Sequence, residues 1–423
     1  MNRRVIVELA WGDETMRLGT LFITASRGKE QFAFECAEEW LEHEKTFEFD
    51  PHIPLTRGIH YPKKDHPVFG CLADASPDRW GIALLRRREN RQAFSENRTA
   101  RSLSHSDFLF GVSDAMRMGA LRFRDGETLL ADTDTGVPKI TWAGTFYALL
   151  QDIQAGRGLS DNDIRDVVAP GASLGGSRPK ASLCDADGKL FVVKFPQVTD
   201  SVDVPLWEKV SLDMAKRCGI RVPESRLIQL SQDRHALVLD RFDRDTQGGR
   251  IPFASAMTLL EARDNDGKVH SYLEIAMLLQ LCGSDTTEDL RELWTRMLFN
   301  VLTSNRDDHL RNHGFLRNEC GWRLSPVYDL ESSSDKAEHC LAFDEHNTEP
   351  DARIAFTVAG LFGLTDRDAQ KIAERMGHVL RKWKNHAERR GAKGRDIDAM
   401  RENFALPPAA AKTSVALPPE NTV

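Results

Sequence analysis

Near Ser255 the sequence changes character, and the change divides the chain into a β-containing part followed by a helical one. Ahead of it, the β-rich stretches Arg4–Leu9 and Gly19–Ile23, separated by the turn-forming Gly12-Asp13, predict a small antiparallel sheet within residues 3–36. Ser76 and Pro77 read as the N-cap and first helical position of a helix through Leu84-Leu85. Predicted strands at Lys189–Phe195 and His235–Phe242 flank a helix expected from Pro205 to about Cys218, where Gly219 supplies a left-handed stop. Beyond Ser255, helical periodicity runs through Tyr272–Leu281. It continues from Asp285 to Leu302 after the capping-box-like Asp285-Thr-Thr-Glu288. The expected class is α+β, with a β-containing lobe preceding a helical lobe.

With 423 residues the chain exceeds what one hydrophobic core usually serves, so two or more domains are expected. Its 41% hydrophobic and 29% charged residues are those of a folded protein. The start, Met1-Asn2-Arg3-Arg4, leads into no apolar run suited to a signal peptide, and no stretch suits a membrane helix, so the expectation is cytoplasmic with no membrane partner. Seven cysteines without a CxxC pair argue against a disulfide framework or zinc site. A net charge of -7 gives no global attraction to nucleic acid. The proline-bearing end, Leu406 to Pro419, predicts a disordered tail over 404–423.

The most informative stretch is Ser304–His313, too polar for a core and placed directly after a predicted helix. Phosphoryl transfer from ATP needs a carboxylate to orient and deprotonate the acceptor hydroxyl, and a nearby amide oxygen for Mg²⁺. Asp307 and Asn312 have the Asp-x-x-x-x-Asn spacing of a protein-kinase catalytic loop. Asp329, at the end of a probable strand Trp322–Leu330, supplies the second metal ligand in the place of a kinase DFG aspartate, although Phe-Gly is missing. Lys194, in Phe-Val-Val-Lys-Phe, matches the setting of the kinase strand lysine that neutralises the α- and β-phosphates. Glu208, on the next helix, reads either as a partner for Lys194 or as an exposed glutamate beside Lys209. Pro170–Lys180 is a glycine-rich loop suited to an anion, yet neither a Walker A nor a G-x-G-x-x-G sequence.

In order, the chain offers glycine loop, strand lysine, helix glutamate, Asp-x-x-x-x-Asn and metal aspartate. With Gly119–Phe123, Leu237–Arg244 and Tyr328-Asp329-Leu330, these landmarks resemble the HipA family of bacterial serine/threonine protein kinases, toxins of toxin–antitoxin systems, over nearly the whole length. The resemblance implies a kinase-like two-lobed fold with an extra N-terminal β-rich domain. The expected division is 1–125 for that domain, 126–243 for the kinase N-lobe, 244–403 for the helical C-lobe and 404–423 for the tail. It implies an ATP site lined by Gly175, Gly176, Ser177, Arg178, Pro179, Lys180, Lys194, Asp240, Arg241, Phe242, His309, Leu310, Arg311, Asn312, Tyr328 and Asp329, with Asp240 and Phe242 offering backbone contacts to adenine.

Asp307 is then the catalytic base, and Asn312 and Asp329 hold Mg²⁺. The family also implies autophosphorylation of Ser173, where about -1.5 to -2 units of charge would expel the loop from a phosphate site. Its expected partners are a HipB-like helix-turn-helix antitoxin, operator DNA through that complex, and a protein substrate for which an aminoacyl-tRNA synthetase, glutamyl-tRNA synthetase in particular, is the first candidate. A basic run from Arg375 to Arg395, read as one terminal helix, includes Arg381, Lys382 and Lys384 for DNA contact, or forms an ordinary solvated face. Two alternatives stay open: a small-molecule or lipid kinase, and a catalytically weak kinase-like corepressor.

Overall fold

The computed structural model describes residues 2–26, 28–131, 136–157, 160, 163, 167–168, 171, 178–333 and 335–404. These residues gather into two compact units, each assembled from three chain segments. The first comprises 1–201, 223–266 and 314–325, and the second 202–222, 267–313 and 326–423.

The first unit opens as the sequence predicts, with β1 (Asn2–Trp11), β2 (Glu14–Ser26) and β3 (Lys29–Cys36) in an antiparallel meander turned at Gly12, φ 61°. With β4 (Ile59–His60), β5 (Leu121–Asp125) and β6 (Thr128–Leu129) they form a six-stranded sheet ordered β4-β3-β2-β1-β5-β6. Alternation sets its inner face: Val5, Val7, Leu9, Leu21, Ile23, Phe32 and Phe34 are all buried.

The second sheet runs β7 (Lys180–Cys184), β8 (Leu190–Lys194), β10 (Arg234–Asp240) and β9 (Ser225–Ser231). Its odd-numbered residues Ala181, Leu183, Phe191 and Val193 share a core with Leu84 and Leu85 of helix α1 (Arg79–Ser95). The same core takes Ala143, Phe146, Leu150 and Ile153 of helix α2 (Ala143–Gln154), which recur at helical spacing. The α1 N-cap is Asp78, whose carboxylate accepts from the Gly81 amide at 2.8 Å, not the predicted Ser76, whose hydroxyl donates back to Leu72 O at 2.6 Å. A carboxylate two residues further on outcompetes the serine for the free amides of the first turn. A third, small sheet of β11 (Phe253–Ser255), β12 (Gly314–Asn318) and β13 (Gly321–Leu324) completes the unit. It lies in the part of the chain expected to be helical, and β13 stops well before Asp329.

One buried cluster ties the unit together. Asp243 is fully buried and accepts from the Arg241 and Arg244 guanidinium groups and from the Gly119 amide at 2.7 Å. Arg241 also donates to Met116 O and Arg117 O. Although burial alone would raise the Asp243 carboxyl, the two guanidinium groups and the amide hold it far below the usual range. Gly119 has φ 72° and meets Phe253 so closely that a side chain there would be both strained and crowded.

The second unit is mostly helical. Helix α3 (Val204–Cys218) ends at Gly219 in the left-handed conformation, as predicted, and α4 (Tyr272–Cys282) packs on α5 (Thr286–Leu302). The capping box forms at Ser271 and Glu274 ahead of α4, whereas Asp285 makes no side-chain cap. Every residue of α5 from Asp289 to Leu302 is buried except Arg291, so it is the central helix of the unit rather than an amphipathic surface one. The basic run is not one helix: α6 (Asp366–Leu380), α7 (Trp383–Arg389) and α8 (Gly394–Ala399) divide it, and Arg381 and Lys382 fall at a break. Among the described residues no helix is long and apolar enough to cross a membrane. All seven cysteines are free. The predicted tail lies outside the described residues except for Phe404.

Candidate active site

The loop after α5 is built around two adjacent aspartates with opposite fates. Asp308 turns inward and is buried. Its carboxylate accepts from the Tyr272 hydroxyl, from Asn300 Nδ2 at 2.9 Å and from His313 Nε2 at 2.8 Å. Asn305 Nδ2 extends the network to Asn300 Oδ1 at 3.0 Å. Burial would raise the Asp308 carboxyl, but the His313 ring, the Tyr272 hydroxyl and nearby His309 hold it below the ordinary range. Asp307, one residue away, points outward with its side chain 65% exposed. A loop pinned from inside by one carboxylate thus presents the other to solvent, a geometry suited to a general base. Ser304, with φ 53°, makes the turn into the loop.

Asn312 is buried after a short 3-10 turn over Leu310–Asn312, and its Nδ2 reaches Asp307 O at 3.5 Å. His309 is half-buried, and among the described residues its Nδ1 has no hydrogen-bond partner. The Tyr328 hydroxyl donates to Arg311 O at 2.6 Å, which ties the segment before Asp329 to the loop, and Val327 N donates to Arg221 O at 2.9 Å. Asp329 is not on a strand but in the left-handed region, φ 61°. Such conformations concentrate where a side chain must be aimed.

Glu208 is no surface glutamate: it is 2% exposed on α3. The carboxylate oxygens of Glu208, Asp329 and Glu331 lie within 4.8 Å of one another. Three carboxylates at that distance repel, and they offer only hard oxygen donors, the kind that suits Mg²⁺. Glu331 went unnoticed in the sequence because no spacing rule links it to Glu208.

The remaining predicted residues belong to the first unit. Lys194 on β8 stands directly opposite Lys180 on β7, so the two ammonium groups share the sheet face turned away from the apolar core, and both are buried. Like charges opposite one another are costly without an anion to share. Lys180 Nζ lies 3.5 Å from Asp78 Oδ2. Burial nonetheless raises that carboxyl to about 6. Arg178 pairs with Asp200 at 2.9 Å. Pro179 O accepts from Phe195 N at 2.9 Å. The Asp240 amide donates to Glu224 O at 2.9 Å and is thereby already engaged. The Arg241 side chain is committed to Asp243, and Phe242 stacks obliquely on Phe253. Ser173, Gly175, Gly176 and Ser177 lie outside the described residues.

His339, in the same unit as the loop, is buried against Phe343 with ring centroids 4.9 Å apart. Burial pushes its pKa down to about 4 from 6.5. The folded chain therefore binds fewer protons here than the unfolded chain between those values, and stability falls as pH drops through 6.5 toward 4. We expect a loss of about 2 kcal/mol between pH 7.5 and pH 5 from this group. Urea midpoints at the two pH values check this, with His339→Leu flattening the difference.

An α+β architecture with three antiparallel sheets, a helical unit, an outward aspartate and a carboxylate cluster defines a protein of the kinase-like two-lobed class with an extra N-terminal β-rich part. Comparison with known proteins makes this specific. The HipA-like C-terminal domain family matches residues 172–383, half of the chain, and the chain belongs to that family. It is 27% identical over 188 residues to a Haemophilus influenzae protein named as a provisional kinase, covering 40% of this chain and 54% of that one. It is 27% identical over 170 residues to Toxin YjjJ of Escherichia coli, covering 38% of each. The matches thus span about half, or less, of these relatives' lengths. In structure it resembles HipA of Shewanella oneidensis, solved with HipB and operator DNA, at a TM-score of 0.66 and 17% identity, over 94% of this chain and 95% of that one.

Proposed function

We propose that this chain is an ATP- and Mg²⁺-dependent protein serine/threonine kinase acting as a HipA-like toxin. The observation that carries the reading is the outward Asp307 carboxylate on a loop anchored by Asp308, in the same unit as the Glu208, Asp329 and Glu331 carboxylates. Asp307 orients the acceptor hydroxyl and takes its proton. Asn312 and Asp329 would hold Mg²⁺, with Glu331 or Glu208 completing the oxygen set. Bound Mg²⁺ supplies charge neutralisation at the phosphate oxygens. Lys194 and Lys180, side by side on one sheet face, favour an anion and suit the α- and β-phosphates. The family resemblance assigns nucleotide contacts to Gly175–Lys180 and Asp240–Phe242 in the first unit, and to His309–Asn312 and Tyr328 in the second. Rate enhancement then comes from positioning and electrostatics rather than covalent chemistry.

The relatives named as a toxin and as a kinase support the same reading. The complex of the Shewanella protein with HipB and operator DNA supports a helix-turn-helix antitoxin as partner, and operator DNA through it. Arg381 and Lys382 at the α6–α7 break and Lys384 at the start of α7 are exposed, and they are the proposed phosphate contacts to that DNA. A cytoplasmic protein serine, first of all in an aminoacyl-tRNA synthetase, is the proposed target. Glu208, grouped with Asp329 and Glu331 in its own unit, would join the metal set.

Phosphopeptide mass spectrometry after incubation with Mg-ATP tests the reading. Phosphate on Ser173 in the wild type, and none in Asp307→Asn, is the expected result. No phosphate on any residue, together with no ATP binding, would replace it with the corepressor reading.

A further inference from the structure

The segment following Asp329 is fastened to the Asp307 loop at several points. Ser333 N donates to Ser304 O at 3.0 Å, and Asn305 and Ser333 form a parallel bridge. Cys340 N donates to Arg306 O at 3.1 Å. In return the Arg306 guanidinium donates to the carbonyls of Lys336 and Ala337. Main-chain bonds on both sides of Lys336 therefore set where its side chain starts. That side chain ends on Asp307: the ammonium pairs with Oδ1, and Cys340 Sγ flanks it, 3.0 Å from Lys336 Nζ and 3.8 Å from Asp307 Oδ1. Among the described residues no other side-chain cation bonds this carboxylate.

An ion pair between side chains 48% and 65% exposed contributes little to stability, so folding alone does not account for such careful anchoring. Its chemical consequence is larger. A carboxylate base has two oxygens and a freely rotating plane, and a hydroxyl is deprotonated well only when one oxygen is held in line with it. With Oδ1 occupied by an ammonium, Oδ2 is left for the acceptor. The carboxylate plane is fixed, and a positive charge stands beside the atoms between which the phosphoryl group passes.

We propose that Lys336 is a positioning residue of the phosphoryl transfer, holding the Asp307 carboxylate so that Oδ2 faces the acceptor hydroxyl. This rests on the reading of Asp307 as base. In the full chain with saturating Mg-ATP and its own Ser173 as acceptor, Lys336→Met lowers the first-order rate of phosphorylation about 10²-fold. The KM for ATP stays within about twofold, because the nucleotide is held elsewhere. Lys336→Arg, which keeps a cation within reach of Oδ1, recovers most of the lost rate, a rescue that a merely structural role would not give. A Lys336→Met chain as fast as wild type or faster overturns this inference and leaves the kinase reading standing. A wild-type chain as silent as Asp307→Asn overturns both. Equal losses in the Met and Arg variants accompanied by a lower melting temperature assign Lys336 to folding and also overturn it.

Discussion

Asp307→Asn is expected to lower phosphoryl transfer by about 10²–10⁴-fold while leaving nucleotide affinity and melting temperature nearly unchanged. The amide fills the same space but cannot take the acceptor's proton at neutral pH, so the loss falls on kcat. The loop should hold its shape, because its inward anchor is Asp308, with Tyr272, Asn300 and His313 converging on it. Exchange of a largely exposed side chain usually changes stability by no more than about 0.5 kcal/mol. Radiolabel transfer at saturating Mg-ATP, a fluorescent-nucleotide titration and a thermal melt together check all three parts. A variant that still transfers phosphate at the wild-type rate would remove Asp307 from the base role.

Asp243→Ala should be the most damaging single change to stability, costing about 3–5 kcal/mol. Removing this carboxylate strands the Arg241 and Arg244 guanidinium groups and the Gly119 amide around a buried void. Charges left without a counterion in a buried place cost far more than the pair gained by forming. The same network predicts a pH response of definite sign. A carboxyl held below its ordinary value stabilises the fold above that value, near 3.9, and the contribution disappears as pH falls further. Urea unfolding of wild type and variant at pH 7 measures the first effect. A difference below about 1 kcal/mol would show that neighbouring groups replace Asp243.

Much of this was legible in the sequence, for reasons that can be stated. The opening meander followed from alternation and the Gly12 turn, and the end of α3 from Gly219, because these are local signals carried by neighbouring residues. Asp307, Asn312 and Asp329 were singled out because phosphoryl transfer calls for those residue types in that order, and the proposed function rests on them. What escaped depends on long-range placement. Nothing near Asp308 in the sequence announces Tyr272 and Asn300 as its partners. Glu331 joins Glu208 across more than a hundred residues, and Lys336 reaches back to Asp307 through main-chain bonds that no spacing rule encodes. Of the third sheet only β13 was anticipated, in a strand read from Trp322; β11 and β12, of three and five residues, give too short an alternation beside strong helical patterns.

The interleaving of the two units bears on how the protein can be dissected. Each draws on three stretches of chain, and 314–325 leaves the second unit for the first between Asn312 and Asp329. No stop codon or single protease cut can therefore release either unit intact. A truncation at residue 267 would strip β12 and β13 from the sheet that Phe253 begins, and deletion mapping would score most of the sequence as indispensable whatever its chemical role. A chain in which 202–222 and 267–313 are replaced by linkers, so that 1–201, 223–266 and 314–325 stay joined in their natural order, would give the first unit as a fragment for study.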